Sequence, residues 1–258
     1  MKFGEEKMSI SKECLQKTLC QFERDYNVKN GEWITPKIHL SPVERVAGAR
    51  FHKKHDTFFK TAIFMGKAYL MADEIMHPWI KEVLAKEPPE WWCDFKNLRK
   101  IEMELNQYGR EIFDTHIYYL PSENQETQRS RFSIQWFEDE KLEQFRYDAR
   151  FNTYALSFSP TQPDRLAVAA YDGDKIVGMA GCSEDGEFLW QIGIDVVPEY
   201  EGKGLAVELV AFLKTVIARR GKVPYYGTAE SHAISRNVAI ASGFLPAWCE
   251  IQVRKKEV

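Results

Sequence analysis

The stretch that most constrains the fold of this chain runs from Ile192 to Ala206, IGIDVVPEYEGKGLA. Its first residues are mostly aliphatic and predict a buried strand, which Pro198 ends because proline has no N–H to give to a neighbouring strand. A charged loop, EGKG, follows, and Leu205 opens an apolar period of helical spacing. The first N–H groups of such a helix lack intrahelical partners and carry the positive end of the helix dipole. The stretch therefore predicts a strand, a phosphate-binding loop and a helix.

Turn residues and apolar periods divide the rest of this region into the order strand, strand, strand, helix, strand, helix, strand. Asp-Gly pairs mark the two turns between the first three strands. The predicted bounds are Leu166–Tyr171, Lys175–Cys182, the strand before Pro198, Leu205–Gly221, Pro224–Ala229, His232–Ser242 and Phe244–Val253.

Two motifs in this region resemble the GNAT superfamily of acetyl-CoA-dependent N-acyltransferases. The segment Glu201–Ala206 resembles the family's pyrophosphate loop, Arg/Gln-x-x-Gly-x-Gly/Ala, with an acid in place of the first residue. The segment from His232 to Phe244 resembles the family's Asn-x-x-Ser-x-x-Val-Ala-x-x-x-Gly-Phe signature at every spacing, with His232 in place of Asn. The resemblance covers roughly residues 130–258.

The resemblance and the periodicity together predict an α/β chain of the α+β type. We expect residues 126–258 to form a GNAT acetyltransferase domain, whose mixed, mostly antiparallel sheet is flanked by helices. Residues 1–125 are expected to form a smaller α/β domain of unknown role. In it, a glycine-capped helix before a strand, Asn97–Gly109, repeats the layout of His232–Gly243. This favours either a degenerate second GNAT-like unit or a chance recurrence, since glycine caps are common.

Three further patterns concern single segments. Ser41-Pro42-Val43-Glu44 predicts a helix start, because proline is favoured in the first turn and Glu44 lies near the capping-box position. The polar run Ser122–Ser130 predicts a linker. The segment Glu138–Arg150 predicts a helix with its apolar residues on one side.

The resemblance implies a binding site for acetyl-CoA. The backbone of Asp195, Val196 and Val197 would line the pantetheine arm. The diphosphate would be bound by the loop residues Glu201, Gly202, Lys203, Gly204, Leu205 and Ala206, and His232 and Ser235 would contact the cofactor. No cysteine or histidine spacing typical of a metal site accompanies these residues, and no metal is expected.

The implied chemistry is direct attack of an amine on the thioester. An alkyl ammonium has a pKa of about 10.4 in water, so a base is required. Asp195 on the central strand and His232, a residue type that titrates near neutrality, are the candidate catalytic bases. Each also has an interpretation without catalysis: a structural hydrogen bond at the strand end for Asp195, and a cofactor contact or an ordinary surface histidine for His232. The position of the tyrosine that often serves as general acid in the family is Ala239 here. Either the coenzyme thiolate leaves unaided, or another residue, such as Tyr225 or Tyr226, protonates it.

The composition of the chain argues against some classes of protein. Lys and Arg number 35 and Asp and Glu 38, without a basic half, so the charge footprint of a nucleic-acid-binding protein is missing. No window of about 18 apolar residues predicts a membrane span. The five cysteines, Cys14, Cys20, Cys93, Cys182 and Cys249, form no paired motif and are expected to be reduced thiols of a cytoplasmic protein.

We therefore expect a cytoplasmic, two-domain N-acetyltransferase that acts on a primary amine of a small molecule, without nucleic acid or membrane as a partner. A homodimer is an open alternative to a monomer. Two other functions remain open: protein or peptide N-acetylation, and a non-catalytic acyl-CoA-binding sensor. The sensor is favoured by Ala239 and Glu201, the two departures from the family pattern.

Overall fold

The computed structural model describes residues 9–50, 57–123 and 130–257. The described residues form two compact units, one within the ranges 1–18, 119–226 and 233–245 and the other within the ranges 19–118, 227–232 and 246–258. The first is called the loop unit here, because it contains residues 201–206, and the second the N-terminal unit. The domain boundary predicted at 125/126, and most of the predicted linker, lie outside the described residues.

The helices and strands of the described residues follow the predicted order in the C-terminal half. The α-helices are α1 Lys12–Asp25, α2 His77–Glu82, α3 Phe95–Asn106, α4 Leu205–Arg219 and α5 Ala233–Ala241. The strands are β1 Glu32–Thr35, β2 Ile38–Pro42, β3 Phe59–Phe64, β4 Lys67–Ala72, β5 Arg110–Pro121, β6 Ser133–Glu138, β7 Asp164–Asp172, β8 Lys175–Glu184, β9 Leu189–Val196, β10 Val223–Ala229 and β11 Phe244–Lys255. No helix within the described residues is both long and apolar enough to cross a membrane.

The sheet of the loop unit has the strand order β10-β9-β8-β7-β6. The pairs from β6 to β9 are antiparallel, and β9 and β10 are parallel. Residues Leu166–Ala170 of β7 are all buried because both faces of the sheet are covered. One face packs against α4 and the other against the segment that contains Phe145, Phe151 and Leu156. The expected mixed, mostly antiparallel sheet with flanking helices is confirmed.

The strands of the N-terminal unit follow the order β1-β2-β4-β3-β11-β5. Its β2 and β4 are parallel, whereas β3 pairs antiparallel with both β4 and β11. An aromatic cluster forms part of its core: the ring of Phe22 lies 5.4–5.7 Å from those of Tyr26, Phe64, Tyr69 and Trp248. Clusters of this kind contribute apolar burial together with favourable edge-to-face contacts.

Two local predictions were wrong. Ser41 and Pro42 end strand β2 and do not start a helix, because β2 is buried next to β4 and the Ser41 hydroxyl donates to the carbonyl of Tyr26 at 2.6 Å. The segment 138–150 forms a 3₁₀ helix over Asp139–Phe145 in place of an α-helix. There, Asp139 has a positive φ of 45°, which turns the chain sharply out of β6.

A buried ionic network lies in the N-terminal unit. The guanidinium of Arg50 donates to Asp25 and, at 2.6 Å, to Glu250, which also accepts from the indole of Trp248 at 2.9 Å. Burial opposes ionisation of Glu250, but Arg50 and then Lys60 outweigh it and lower the pKa of this carboxyl to about 2. These groups adjoin a cavity of about 220 Å³ whose remaining walls include Phe59, Met71 and Val253. Two cations balance two anions, so we interpret the network as structural.

Candidate functional site

Near its C-terminal end, strand β9 is paired with a neighbouring strand on one side only. On one side it pairs with β8 as far as Val196, which lies opposite Gly178. On the other side its pairing with β10 stops at Ile192, opposite Tyr226. The backbone of the last four residues of β9, from Gly193, is thus bonded along one edge only. A strand edge of this kind offers N–H and C=O groups to a ligand that carries amide groups of its own.

The loop after β9 leads directly into the N-terminus of α4. Gly202 and Gly204 have φ values of 69° and 83°, and a Cβ on either would meet no atom within 4 Å. Glycine is therefore required here by backbone conformation and not by crowding. The first helical bond runs from the N–H of Glu208 to the carbonyl of Gly204, at 3.2 Å. The N–H groups of residues 205–207 consequently have no intrahelical acceptor.

The start of α4 is held close to the sheet. Leu205 is buried, and its side chain would lie 3.0 Å from a Cβ placed on Gly178. Gly178 thus leaves the space that this leucine occupies. The buried side chain fixes the first turn of the helix, in which Ala206 and Val207 are partly exposed.

A second pair of glycines shapes the opposite face of β8 and β9. Gly181 and Gly193 are cross-strand neighbours, and a Cβ on either would overlap the backbone carbonyl of Ala155 or of Tyr154. The chain at 154–155 therefore crosses the sheet in a groove that only glycine permits. Asp195 holds it there, because its carboxylate accepts the N–H groups of Tyr154 at 2.9 Å and of Ala155 at 2.8 Å.

Comparison with known families agrees with this geometry. The family model described as "Acetyltransferase (GNAT) family" matches residues 116–244, which is half of the chain. The chain belongs to the GNAT acetyltransferase family. It is accordingly an acyltransferase by family. No curated protein matches it.

Solved structures of GNAT proteins are similar to it at low identity. A GCN5-related N-acetyltransferase from Sphaerobacter thermophilus is 13% identical with a TM-score of 0.46, the match covering 77% of this chain and 78% of that one. A GCN5-related N-acetyltransferase from Kribbella flavida is 14% identical with a TM-score of 0.45, covering 60% and 63%. The protein yncA from Salmonella typhimurium, solved with its cofactor acetyl-CoA, is 18% identical with a TM-score of 0.30, covering 36% and 65%.

Two cationic side chains, Lys203 and Arg131, lie at the loop formed by residues 201–206. The sequence pattern indicated only Lys203. The ammonium of Lys203 donates to the carbonyl of Glu199 at 2.6 Å, so this side chain folds back on the preceding turn. Arg131 donates to the carbonyl of Lys203 at 3.0 Å, which places a guanidinium at the loop. Arg131 lies 72 residues upstream of Lys203. No local pattern at that distance could have indicated it. Glu201, the departure from the family motif, is exposed.

Tyr226 and Ser235 meet at the point where β9 and β10 part. Their hydroxyl oxygens are 2.9 Å apart. Burial raises the pKa of Tyr226, the hydrogen bond with Ser235 opposes this, and the charge of Asp195 adds to the increase. Tyr226 is therefore a protonated hydroxyl near neutral pH. Ala239, at the family's tyrosine position, is fully buried on α5.

The other predicted residues have simpler surroundings. The hydroxyl of Tyr225 donates to Asp185 and, at 3.2 Å, to Gln191, so it is engaged in the core. His232 is exposed and directly precedes α5, and its side chain makes no hydrogen bond within the described ranges. The structure thus brings Tyr226 into contact with Ser235 and within electrostatic reach of Asp195. No cluster of three or more metal-ligating side chains occurs among the described residues.

Proposed function

We propose that this chain is an N-acetyltransferase that moves the acetyl group of acetyl-CoA to a primary amine of a small molecule. The observation that carries the proposal is the one-sided end of β9 placed directly before the two-glycine loop and α4. An exposed strand edge suits the amide-containing pantetheine arm, and orphan N–H groups at a helix start suit the diphosphate. Both halves of coenzyme A therefore find complementary groups on one continuous segment.

Different residues of the site would bind different parts of coenzyme A. The backbone of Asp195, Val196 and Val197 would hydrogen-bond the pantetheine arm. The N–H groups of residues 202–206 would hold the diphosphate, with Lys203 and Arg131 supplying positive charge. When bound, acetyl-CoA would supply the activated acetyl thioester. Holding an amine beside it could account for a large part of the rate enhancement.

We assign different roles to the two candidate bases. The Asp195 carboxylate anchors the 154–155 backbone by two hydrogen bonds, which makes it a positioning residue. His232 is exposed and keeps its imidazole available to accept the proton of the amine. We therefore propose His232 as the general base.

Tyr226 is proposed to return a proton to the leaving thiolate. Its hydroxyl stays protonated near neutrality and contacts Ser235, a position at which the GNAT signature contacts the cofactor. This would replace the tyrosine missing at Ala239. Tyr225 is a poorer choice because its hydroxyl is engaged by Asp185.

A substituted loop tests the proposal directly. In calorimetric titrations, Gly204→Asp should weaken acetyl-CoA binding at least about 100-fold, because it brings a carboxylate to the diphosphate. Gly204→Asn is the matched control, since asparagine tolerates positive φ and adds no charge. Gly173→Asp places the same residue at another positive-φ glycine with open space, outside the loop, and should bind as the wild type does. Equal affinity of Gly204→Asp and the wild type would refute the loop assignment.

Turnover is tested by the release of free thiol when small-molecule amines are added. A non-catalytic acyl-CoA sensor is the second candidate, and it is favoured by the burial of Ala239 and by the engagement of Asp195. Binding without thiol release on any small amine or peptide would support the sensor. Thiol release with peptides but not with small amines would indicate that the acceptor is a protein or peptide.

A further inference from the structure

Two cysteines of the N-terminal unit lie next to each other. The sulfur atoms of Cys93 and Cys249 are 3.3 Å apart, although the residues are separated by 156 positions in the sequence. Cys93 lies in the turn before α3, and Cys249 lies on β11 opposite Ile63 of β3. Both are partly exposed and both are free thiols. The sequence pattern predicts five isolated thiols, so the pairing is a finding of the fold.

We propose that Cys93 and Cys249 form an oxidation site, at which a hydroperoxide converts the two thiols into an intrachain disulfide. The sulfur of Cys93 attacks the peroxide oxygen; a sulfur–oxygen bond forms, the oxygen–oxygen bond breaks, and an alcohol or water leaves. The sulfur of Cys249 then attacks the sulfenic acid, and water leaves as the disulfide forms. Two thiols and one hydroperoxide thus give one disulfide, one alcohol (water if the oxidant is hydrogen peroxide) and one further water.

The geometry allows the closure with little rearrangement. A disulfide requires a sulfur–sulfur distance of about 2.05 Å, so the atoms must approach by a little more than about 1 Å. Cys249 is fixed by the ladder between β11 and β3. Cys93 lies in a turn between the 3₁₀ helix that ends at Trp91 and the start of α3 at Phe95. The turn is therefore the part that moves.

The order of the two steps follows from the surroundings of Cys249. Its hydrogen bond with Cys93 and its burial raise the pKa of this thiol above its ordinary range, and the carboxylates of Glu230 and Glu250 add to the increase. Cys249 therefore keeps its proton near neutral pH, which suits it to the second step. Its position beside Cys93 then makes it the resolving thiol.

The other three cysteines provide internal controls. Cys14 and Cys182 are buried, and burial raises the pKa of Cys14 to about 12 and that of Cys182 further still. Both should remain unreactive. Cys20 is partly exposed and pairs with no other thiol among the described residues. It should react as a single thiol and give a sulfenic acid or a mixed disulfide.

The experiment treats the full-length chain with one equivalent of hydrogen peroxide, blocks the remaining thiols, and maps the peptides without reduction. We expect an intact mass lower by two hydrogens, one cross-linked peptide pair containing residues 93 and 249, and reversal by dithiothreitol. The cross-link closes a very long loop and should raise the midpoint of thermal unfolding by about 5 °C or more.

Substitutions separate the pair from chance reactivity. Cys93→Ser and Cys249→Ser should each abolish the loss of two hydrogens, whereas Cys20→Ser should leave it unchanged. Near-ultraviolet circular dichroism confirms that each variant is folded. Oxygen adducts on Cys93 or Cys249 without a cross-link in the wild type would overturn the proposal, as would an unchanged mass after treatment.

Discussion

Lys214 should make the stability of the loop unit depend on pH in the alkaline range. It lies on the buried face of α4, where the residue as a whole is only 4% exposed. Its ammonium donates to the carbonyl of Ser242 at 2.6 Å and lies 5.3 Å from the centre of the Phe244 ring. No carboxylate pairs with it within the described ranges. Burial alone lowers its pKa from 10.5 to about 8.

The size of the effect follows from this difference in pKa. Above pH 10.5 the amine is neutral in both states, and folding carries no penalty. As pH falls through 8 the folded state must accept a buried charge, and the full penalty is present below that value. A decrease of about 2.5 units corresponds to about 3 kcal/mol, of which about 1 kcal/mol is relieved between pH 7 and pH 9.

Lys214→Met tests this reasoning, because methionine keeps the length of the side chain and cannot ionise. Urea unfolding at 25 °C should be followed by circular dichroism at pH 7, 8 and 9 for the wild type and the variant. Between pH 7 and pH 9 the wild type should gain about 1 kcal/mol of stability relative to the variant, because only the wild type loses the buried charge. Lys175→Met, at an exposed position, is the control and should show no such trend. A difference between wild type and Lys214→Met that is the same at all three pH values would refute the reasoning.

Two further predictions concern charge and proton transfer. Glu250→Gln should lower the free energy of unfolding at pH 7 by about 3–5 kcal/mol, because it leaves the buried Arg50 short of a counter-charge. Since the folded pKa of Glu250 is about 2, against 4.5 for the free side chain, its contribution is present above pH 4.5 and is lost as pH falls through 2; the deficit of the variant should shrink over that window in acid unfolding curves. Tyr226→Phe should lower turnover by about 100-fold and leave acetyl-CoA affinity unchanged, whereas Tyr225→Phe should lower stability by about 1–3 kcal/mol and keep turnover. Equal turnover of Tyr226→Phe and wild type would exclude Tyr226 as the proton donor.

Local chemistry explains why the C-terminal half could be predicted so closely. The α4 period beginning at Leu205, the Asp-Gly turns and the glycine caps are signals contained within a few residues of each element. The positive φ values at Gly202 and Gly204 follow from the same signals. Such features depend little on the rest of the fold, so a single sequence is enough to predict them.

The errors and omissions come from contacts between distant segments. Ser41 and Pro42 carry a local helix-start signal, but burial of β2 against β4 outweighs it. The Gly181–Gly193 groove and the approach of Arg131 to Lys203 depend on strand register and loop path. The contact between Cys93 and Cys249 has the same origin. Pairing across 156 residues leaves no periodic trace in the sequence.

The sequence and the structure suggest different roles for Asp195, and one substitution distinguishes between them. The sequence resemblance makes it a candidate base on the central strand, whereas the structure shows its carboxylate accepting the N–H groups of Tyr154 and Ala155. Asp195→Asn keeps an oxygen that can accept both bonds but removes any basicity. A positioning residue should therefore tolerate this change, while Asp195→Ala should lower activity by releasing the 154–155 backbone from β9.

Substitution of His232 is the second part of this test. If His232 is the base, His232→Ala should lower kcat/KM by about 100-fold or more, and Asp195→Asn should retain most of the activity. Acetyl-CoA affinity measured by calorimetry separates loss of chemistry from loss of a cofactor contact at His232. The reverse pattern, an inactive Asp195→Asn beside an active His232→Ala, would make Asp195 the base. The proton of the amine would then go to Oδ1 of Asp195, since Oδ2 accepts both backbone hydrogen bonds.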